Sequence, residues 1–411
     1  MTSQFVAINQ QGIAIASDTL TTNFGDHGEV KTIPSNTKIH QVGREHLLAI
    51  LHYGGVMLGS AQWEILIREW SLSLGGTLPH LGDYVQNFEQ WLSGNADLFS
   101  FHEPQMMSWV IQREILDMFD MGAPLADVLV DKASHPDATN NEEFDTLVCQ
   151  ALDEYMQQIF QRPLYGDLTA KGVLKVLSDQ QVDVASLFDR LSKRFGDFQF
   201  GKSAKEKMAE FASELLIRFV PTNSCMVLNF VGFGKYDVVG QRVEVRIRSF
   251  YLGKLRMEVE HFGSDDIGTY PKVFPLAQCD AVSSFIHGID SGLRNYFQDA
   301  ALAATESLGQ LTDEQRAAFA KTFSETTGNY LANQYSQPLI ETLQTVGLTG
   351  LTRFAEMMIR FQCLRAASLA GEATVGGFVE SLSISRDRGI EWHERMSLDR
   401  HPIETASHVF A

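Results

Sequence analysis

The chain has 411 residues, a formal charge of −18, 44% apolar and 20% charged residues, which is enough for two or three ordinary domains, or for one large domain with insertions and a full core. The acidity and the lack of any basic run exclude nucleic acid as a partner, because phosphate binding needs clustered Lys and Arg, and solubility accounts for the charge. Cys149, Cys225, Cys279 and Cys363 form no Cys-x-x-Cys pair, the histidines show no His-Glu-x-x-His spacing, and no apolar run approaches the ~18 residues of a membrane span. The expectations are therefore a cytoplasmic protein with no disulfide, no metal, no signal peptide and no membrane partner.

In chain order, "FVAIN" and "GIAIAS" read as two strands joined by Gln10, Gln11 and Gly12, and "KIHQV" with "HLLAILHY" repeats the pattern, so a first sheet is expected within the first 53 residues. Gly54 and Gly55 break the strand, and "VMLGSAQWEILIREWSL" switches to helical spacing. From about residue 80 to 219 nearly everything reads as helix, closed by Pro221. Strand character returns in "SCMVLNFVGFG", "RVEVRIRSFYL" and "LRMEVEHFG", a second sheet. The segments "AQCDAVSSFIHGIDSGLRNYF" and "LTDEQRAAFAKTF" read as helices, the latter opening on a capping box of Thr312 and Gln315, and a long helix from Leu351 precedes a last hairpin, "GGFVESLSISRDRGIEWHE". Strands, helices, strands, helices, strands is the order expected of two sheets packed face to face under outer helices, and not of an alternating parallel sheet. The middle helices are read as an insertion.

A hydroxyl becomes a useful nucleophile only when a base takes its proton, and a chain-terminal Thr carries its own base in an α-amine of pKa ~7.7–8.0. Loss of Met1 would make Thr2 such a residue, immediately ahead of the first strand. A Thr in second position is ordinary by itself.

The opening "TSQFVAINQQGIAIASDTLTT" resembles that of the proteasome β subunits and their bacterial relatives, within the N-terminal nucleophile hydrolases. The family separates its nucleophile from an Asp by sixteen positions, as Thr2 and Asp18 are separated here. "TKIHQV" looks like the segment with the family's buried Lys, which puts that role on Lys38, with Lys31 as the competitor. "LLAILHYGG" followed by "AQWE" resembles the strand, oxyanion turn and first helix; Gly55 fits best by its distance to Trp63 and Glu64, and Gly54 is the alternative. "GEATVGGFVESLSISRDRGIEW" looks like the last helix-to-strand passage, with Glu372 where relatives have a supporting Asp.

The resemblance covers residues 2–97 and 222–395 and implies an α+β fold: a four-layer αββα sandwich of two antiparallel sheets. Residues 1–97 and 222–411 would form its two parts around a helical insertion at 98–221. It implies a threonine-type peptidase or amidohydrolase in which Thr2 attacks, Asp18 keeps Lys38 charged, and Lys38 eases the developing alkoxide. A Gly55 N–H would hold the oxyanion, and Thr21, His52, Tyr53 and Gly54 would line the substrate site. The ordinary readings are a turn cap for Asp18, surface charge for Lys38, a plain turn for Gly54 and Gly55, a solvated carboxylate for Glu372, and core or pocket wall for His52, Tyr53 and Trp63.

Two departures stand out: "PLAQCDA" replaces the Gly-Ser-Gly loop of many relatives, leaving Gln278 or Asp280 as the polar partner, and Leu20 replaces a usual Arg. The alternatives are a catalytically silent structural subunit of the same fold and a small-molecule amidohydrolase. No cofactor is implied. The family analogy further implies a homo-oligomer and, in some relatives, an ATP-driven unfoldase as partner.

Overall fold

The computed structural model describes residues 2–24, 30–34, 37–99, 103–120, 124–134, 141–166, 168–195, 199–219, 225–262, 271–306, 312–369 and 374–396. Strands β1 (Ser3–Asn9) and β2 (Gly12–Asp18) form the opening hairpin. A ribbon of β3 (Leu20–Phe24) and β4 (Val30–Pro34) follows, then β5 (Ile39–Gln41), β6 (Leu48–Tyr53) and the short pair β7 (Met57–Leu58) and β8 (Ala61–Gln62). Eight helices come next: α1 (Trp63–Ser73), α2 (Leu81–Gly94), α3 (Glu103–Asp120), α4 (Pro124–Ser134), α5 (Asn141–Ile159), α6 (Ala170–Asp179), α7 (Val184–Phe195) and α8 (Lys202–Ile217). The chain returns to strands in β9 (Met226–Gly232), β10 (Gln241–Tyr251), β11 (Lys254–Phe262) and β12 (Lys272–Ala277). Helices α9 (Asp280–His287), α10 (Ser291–Glu306), α11 (Asp313–Leu331), α12 (Gln337–Thr345) and α13 (Leu348–Ser368) lead to β13 (Val379–Ser385) and β14 (Gly389–Glu394).

The protein is α+β, with two five-stranded antiparallel sheets ordered β12-β1-β2-β13-β14 and β11-β10-β9-β6-β5. The sequence reading grouped the first four long strands in one sheet, and the structure divides them: β1 and β2 belong to the first sheet, β5 and β6 to the second. Every residue of β1 and β2 is buried, so these strands need cover on both faces and take central places. Their edges are closed by segments from the far end of the chain.

Alternation along the strands sorts the side chains into layers. Phe5, Ala7, Ala14 and Ala16 pack against Val282 of α9, Leu343 of α12 and Leu351, Ala355 and Ile359 of α13; the alanines let α13 lie close. Leu48, Ile50, Leu228 and Phe230 of the second sheet pack against Trp63, Leu66 and Trp70 of α1 and Tyr84 and Phe88 of α2. Between the sheets Val6, Ile8, Ile13, Ile15, Leu382 and Ile384 meet Ile39, Ala49, Leu51 and Val231. This arrangement is compatible with a sandwich under outer helices. Each fully buried aliphatic side chain of that middle slab contributes about 1.5–3 kcal/mol.

Helices α3–α8 gather around a separate core that includes Ile111, Phe144, Leu152, Phe188, Phe211 and Leu215, joined by Tyr251 at the end of β10. They occupy the stretch read as an insertion. Three further stretches differ from the sequence reading. The first residues of "VMLGSAQWEILIREWSL", read as helical, form β7 and β8, and the helix starts only at Trp63. "KVFPLA", not read as a strand, is β12, an edge strand whose Pro275 faces Phe5 of β1, a place where a missing N–H is tolerated. The helix expected to run on from "AQCDA" is broken in two by Gly288, whose φ of +75° ends α9 in a left-handed cap.

Leu382 is fully buried in the slab between the sheets. Leu382→Ala is expected to cost about 2–5 kcal/mol, whereas Val238→Ala, at a residue 82% exposed, stays within about 0.5 kcal/mol; denaturant unfolding of both variants measures the contrast.

Candidate functional site

The slab between the sheets is apolar for two rows and then turns polar. Ile8 lies opposite Ile13 and Ile13 opposite Ile384, Val6 opposite Ile15 and Ile15 opposite Leu382, and the next row is Gln4, Ser17 and Glu380. From the second sheet, Lys38 and Thr37 reach this polar end just ahead of β5. The Gln4 amide donates to the carbonyls of His52 (3.0 Å) and Lys38 (3.4 Å), tying the two sheets together. Thr37 donates to the buried Glu380 carboxyl at 3.0 Å, and burial pushes the pKa of that carboxyl up.

Asp18 ends β2 and is fully buried. Its Oδ1 accepts from the Ser3 N–H at 2.9 Å and from Lys38 Nζ at 2.7 Å, and its Oδ2 from the Gly376 N–H at 3.1 Å. The Lys38 ammonium also donates to the Leu20 carbonyl at 2.6 Å. Burying one ion alone costs several kcal/mol, so the pair stands because each charge has the other and further hydrogen bonds. Burial pushes the Lys38 pKa down and Asp18 pulls against it, leaving it below the ordinary range. Lys31, the competing lysine, lies in β4 of the side ribbon opposite Asn23.

Thr2 is partly buried one residue before β1, and its peptide link to Ser3 is held at both ends. The Thr2 carbonyl accepts from the Gln278 N–H at 2.9 Å, while the Ser3 N–H is the one bound to Asp18. Opposite Ser3, Ala277 has φ +60°, a left-handed conformation that costs a residue other than Gly about 1–3 kcal/mol and turns the chain from β12 toward Gln278. The Gln278 side chain accepts from the Thr374 hydroxyl at 2.8 Å. Asp280, the other polar partner considered, instead accepts from Gln362 of α13.

The remaining expected residues are placed unevenly. Gly54 has φ +90°, and a Cβ there would come within 2.2 Å of the Cys225 carbonyl, so only glycine fits this crossing over the start of β9. Gly55 follows, partly buried. Thr21 is partly buried directly after Leu20, whose carbonyl holds Lys38. His52 and Tyr53 were both expected to line the substrate site, but their side chains leave opposite faces of β6. Tyr53 joins Ala49 and Leu51 between the sheets, whereas the His52 ring stacks on His40, with Nδ1 2.9 Å from His40 Nε2. Consecutive strand residues cannot share a face, so His52 meets the site through its backbone. Burial pushes the His40 pKa down to about 4 and that of His52 well down as well. Glu372 lies outside the described residues. The sequence reading missed Gln4, the Gly376 N–H and the buried Glu380; the double glycine of "VGGF" was a visible signal for the second.

Among the described residues no cluster of three or more His, Cys, Asp or Glu side chains has the arrangement of a metal site, and no helix is long and apolar enough to cross a membrane. No family model matches the chain, and no curated protein matches it either.

Two outcomes follow from this geometry. Asp18→Asn leaves the Lys38 ammonium buried without its counter-charge and is expected to cost about 3–5 kcal/mol; Asp18→Asn with Lys38→Met should recover most of that loss in denaturant unfolding. Unfolded imidazoles take up protons near pH 6.5, the folded His40 only near 4, so between these values the unfolded chain binds more protons and acid favours it. Stability should fall as pH drops from 6.5 toward 4, with a shallower slope in His40→Gln with His52→Gln, read from urea midpoints across that range.

Proposed function

We propose that this chain is an N-terminal nucleophile hydrolase with a four-layer αββα sandwich, cleaving peptide or related amide bonds through Thr2 once Met1 is removed. The observation that best supports this reading is the buried Asp18–Lys38 pair, in which Asp18 Oδ1 is 2.7 Å from the ammonium and 2.9 Å from the Ser3 nitrogen, one peptide bond from Thr2. A buried ammonium beside a chain terminus is costly in a scaffold and useful where an alkoxide must form.

In this reading the free Thr2 amine takes the proton of its own hydroxyl as Oγ bonds to the substrate carbonyl carbon. The carbonyl electrons move to oxygen, and the oxyanion is held by a backbone N–H of the Gly54–Gly55 turn, Gly55 being the preferred donor. Collapse of that intermediate breaks the C–N bond, and the leaving amine receives the proton from the Thr2 ammonium. Water, deprotonated by the same amine, then attacks the ester and restores the hydroxyl. In this reading Lys38 supplies positive charge near Oγ, burial lowering its pKa and Asp18 favouring its charged form. Gln278, bound to the Thr2 carbonyl, and Gly376, bound to Asp18, serve as positioning residues.

Intact mass of the purified protein should show the loss of one Met. An epoxyketone should then add to the Thr2 peptide, Thr2→Ala should abolish the adduct, and Lys38→Met should slow its formation by at least about 100-fold. A retained Met1, or an unmodified terminus at saturating reagent, would overturn the mechanism and favour a catalytically silent subunit.

A further inference from the structure

Where the helical insertion meets the second sheet, the structure holds a cavity of about 470 Å³ that touches the candidate site only at Gly55. Such a volume suits a small organic ligand. One wall is the loop from Gly55 to Gly59, another is α3 with Met106 and Trp109, and the floor is Trp63 of α1, Met226 of β9 and Ile247 to Ser249 of β10. Its sides are apolar and partly open to solvent: Met57 is 48% and Trp109 44% exposed.

The floor has a different character. Three of its residues carry buried polar atoms with no hydrogen-bond partner: Trp63 Nε1, Arg248 Nη1 and Nη2, and Ser249 Oγ. Trp and Arg can only donate, and a serine hydroxyl can donate. Leaving such groups unmatched costs the full desolvation of each, so a cluster of them calls for an explanation. It arises at an irregularity in the β10–β11 pairing between Ile247 and Ser249, which lets Arg248 depart from the regular alternation. Glu114 of α3 stands 3.6 Å from Arg248 Nη2, beyond hydrogen-bond reach, with its other oxygen taken by the Tyr155 hydroxyl at 2.8 Å. A second guanidinium, Arg256, lies fully buried opposite Ser249 and over the rings of Tyr165 and Tyr251 at 4.4 Å each. Glu114 offsets the charge of Arg248 as an ion pair without filling its hydrogen bonds, and Arg256 adds a second positive charge behind them. Unmatched donors under apolar walls with this net positive charge fit one partner chemistry: an apolar body ending in an anionic oxygen pair.

We propose that this cavity binds a compact apolar group ending in a carboxylate, supplied by a free organic acid or by a peptide C-terminus with an apolar last residue. The carboxylate would accept from Arg248, Ser249 and Trp63, and the apolar body would lie along Met57, Met106 and Trp109. The site does not depend on Thr2 chemistry.

Trp63 and Trp109 border the cavity, so intrinsic fluorescence reports occupancy. The full-length protein is titrated with decanoate and with N-acetyl-leucyl-phenylalanine, beside decanol and the C-terminal amide of the same dipeptide. A saturable change is expected, with at least about tenfold tighter binding of a carboxylate than of its neutral counterpart, as charge-assisted hydrogen bonds imply. Tighter binding of decanoate assigns the free acid as source, and tighter binding of the dipeptide the chain terminus. Arg248→Met with Glu114→Gln, which removes both charges together, should bring acid and neutral ligand to within about twofold. Met57→Trp, at an exposed position, should fill the cavity and weaken every ligand by at least about tenfold without disturbing the fold. Equal binding of acids and neutral counterparts to the unaltered protein, or no saturable change with either acid, would overturn the proposal.

Discussion

One buried ion pair joins the two sheets at the point where their shared apolar slab ends. Asp18 closes β2 in the first sheet, Lys38 leads into β5 in the second, and they meet at 2.7 Å with side chains 0% and 3% exposed. The slab of Ile, Val and Leu behind them sets the distance between the sheets and keeps water out. The row of Gln4, Ser17 and Glu380 in front gives the buried charges a polar setting. Without the slab the pair would be solvated and worth little.

That arrangement also fixes the entry to β1: the Thr2–Ser3 peptide is hydrogen-bonded on one side to Gln278 and on the other to Asp18. The left-handed Ala277 that presents Gln278 is local strain held in place by the surrounding strands. Lys38 is pulled two ways, burial favouring its neutral form and Asp18 its charged form. The neutral His40–His52 pair sits on the other face of the same strands and acts on this end of the second sheet through backbone: the His52 carbonyl receives Gln4, and its N–H is bound to the Lys38 carbonyl.

The helices α3–α8 have a core of their own, and their junction with the second sheet is of another kind. It carries Arg248, Glu114 and Arg256, all buried, and an apolar cavity opening beside them. A seam built only to hold two bodies together would be served better by aliphatic packing, since burying charges seldom adds stability. The polar seam and the Asp18 pair both keep charge in the interior beside an apolar layer.

Local pattern determined much of this in advance. The alternation of "FVAIN" and "GIAIAS", the turn at Gly12, the helical spacing after Trp63 and the capping box at Thr312 depend on neighbours within a few residues, whereas the meeting of Asp18 with Lys38 was expected only from the family resemblance. What lay beyond reach depends on contacts distant in sequence. Whether β5 and β6 joined β1 and β2 was a question of which buried faces found each other across more than 170 positions, and local alternation is the same in either sheet. β12 was hidden because Pro275 argues against a strand until an edge position excuses it, and the opposed directions of His52 and Tyr53 followed only once the faces of β6 were assigned. Short-range periodicity writes secondary structure into a chain. The choice of partner for each buried face, and with it the place where charge can be kept dry, belongs to the folded whole.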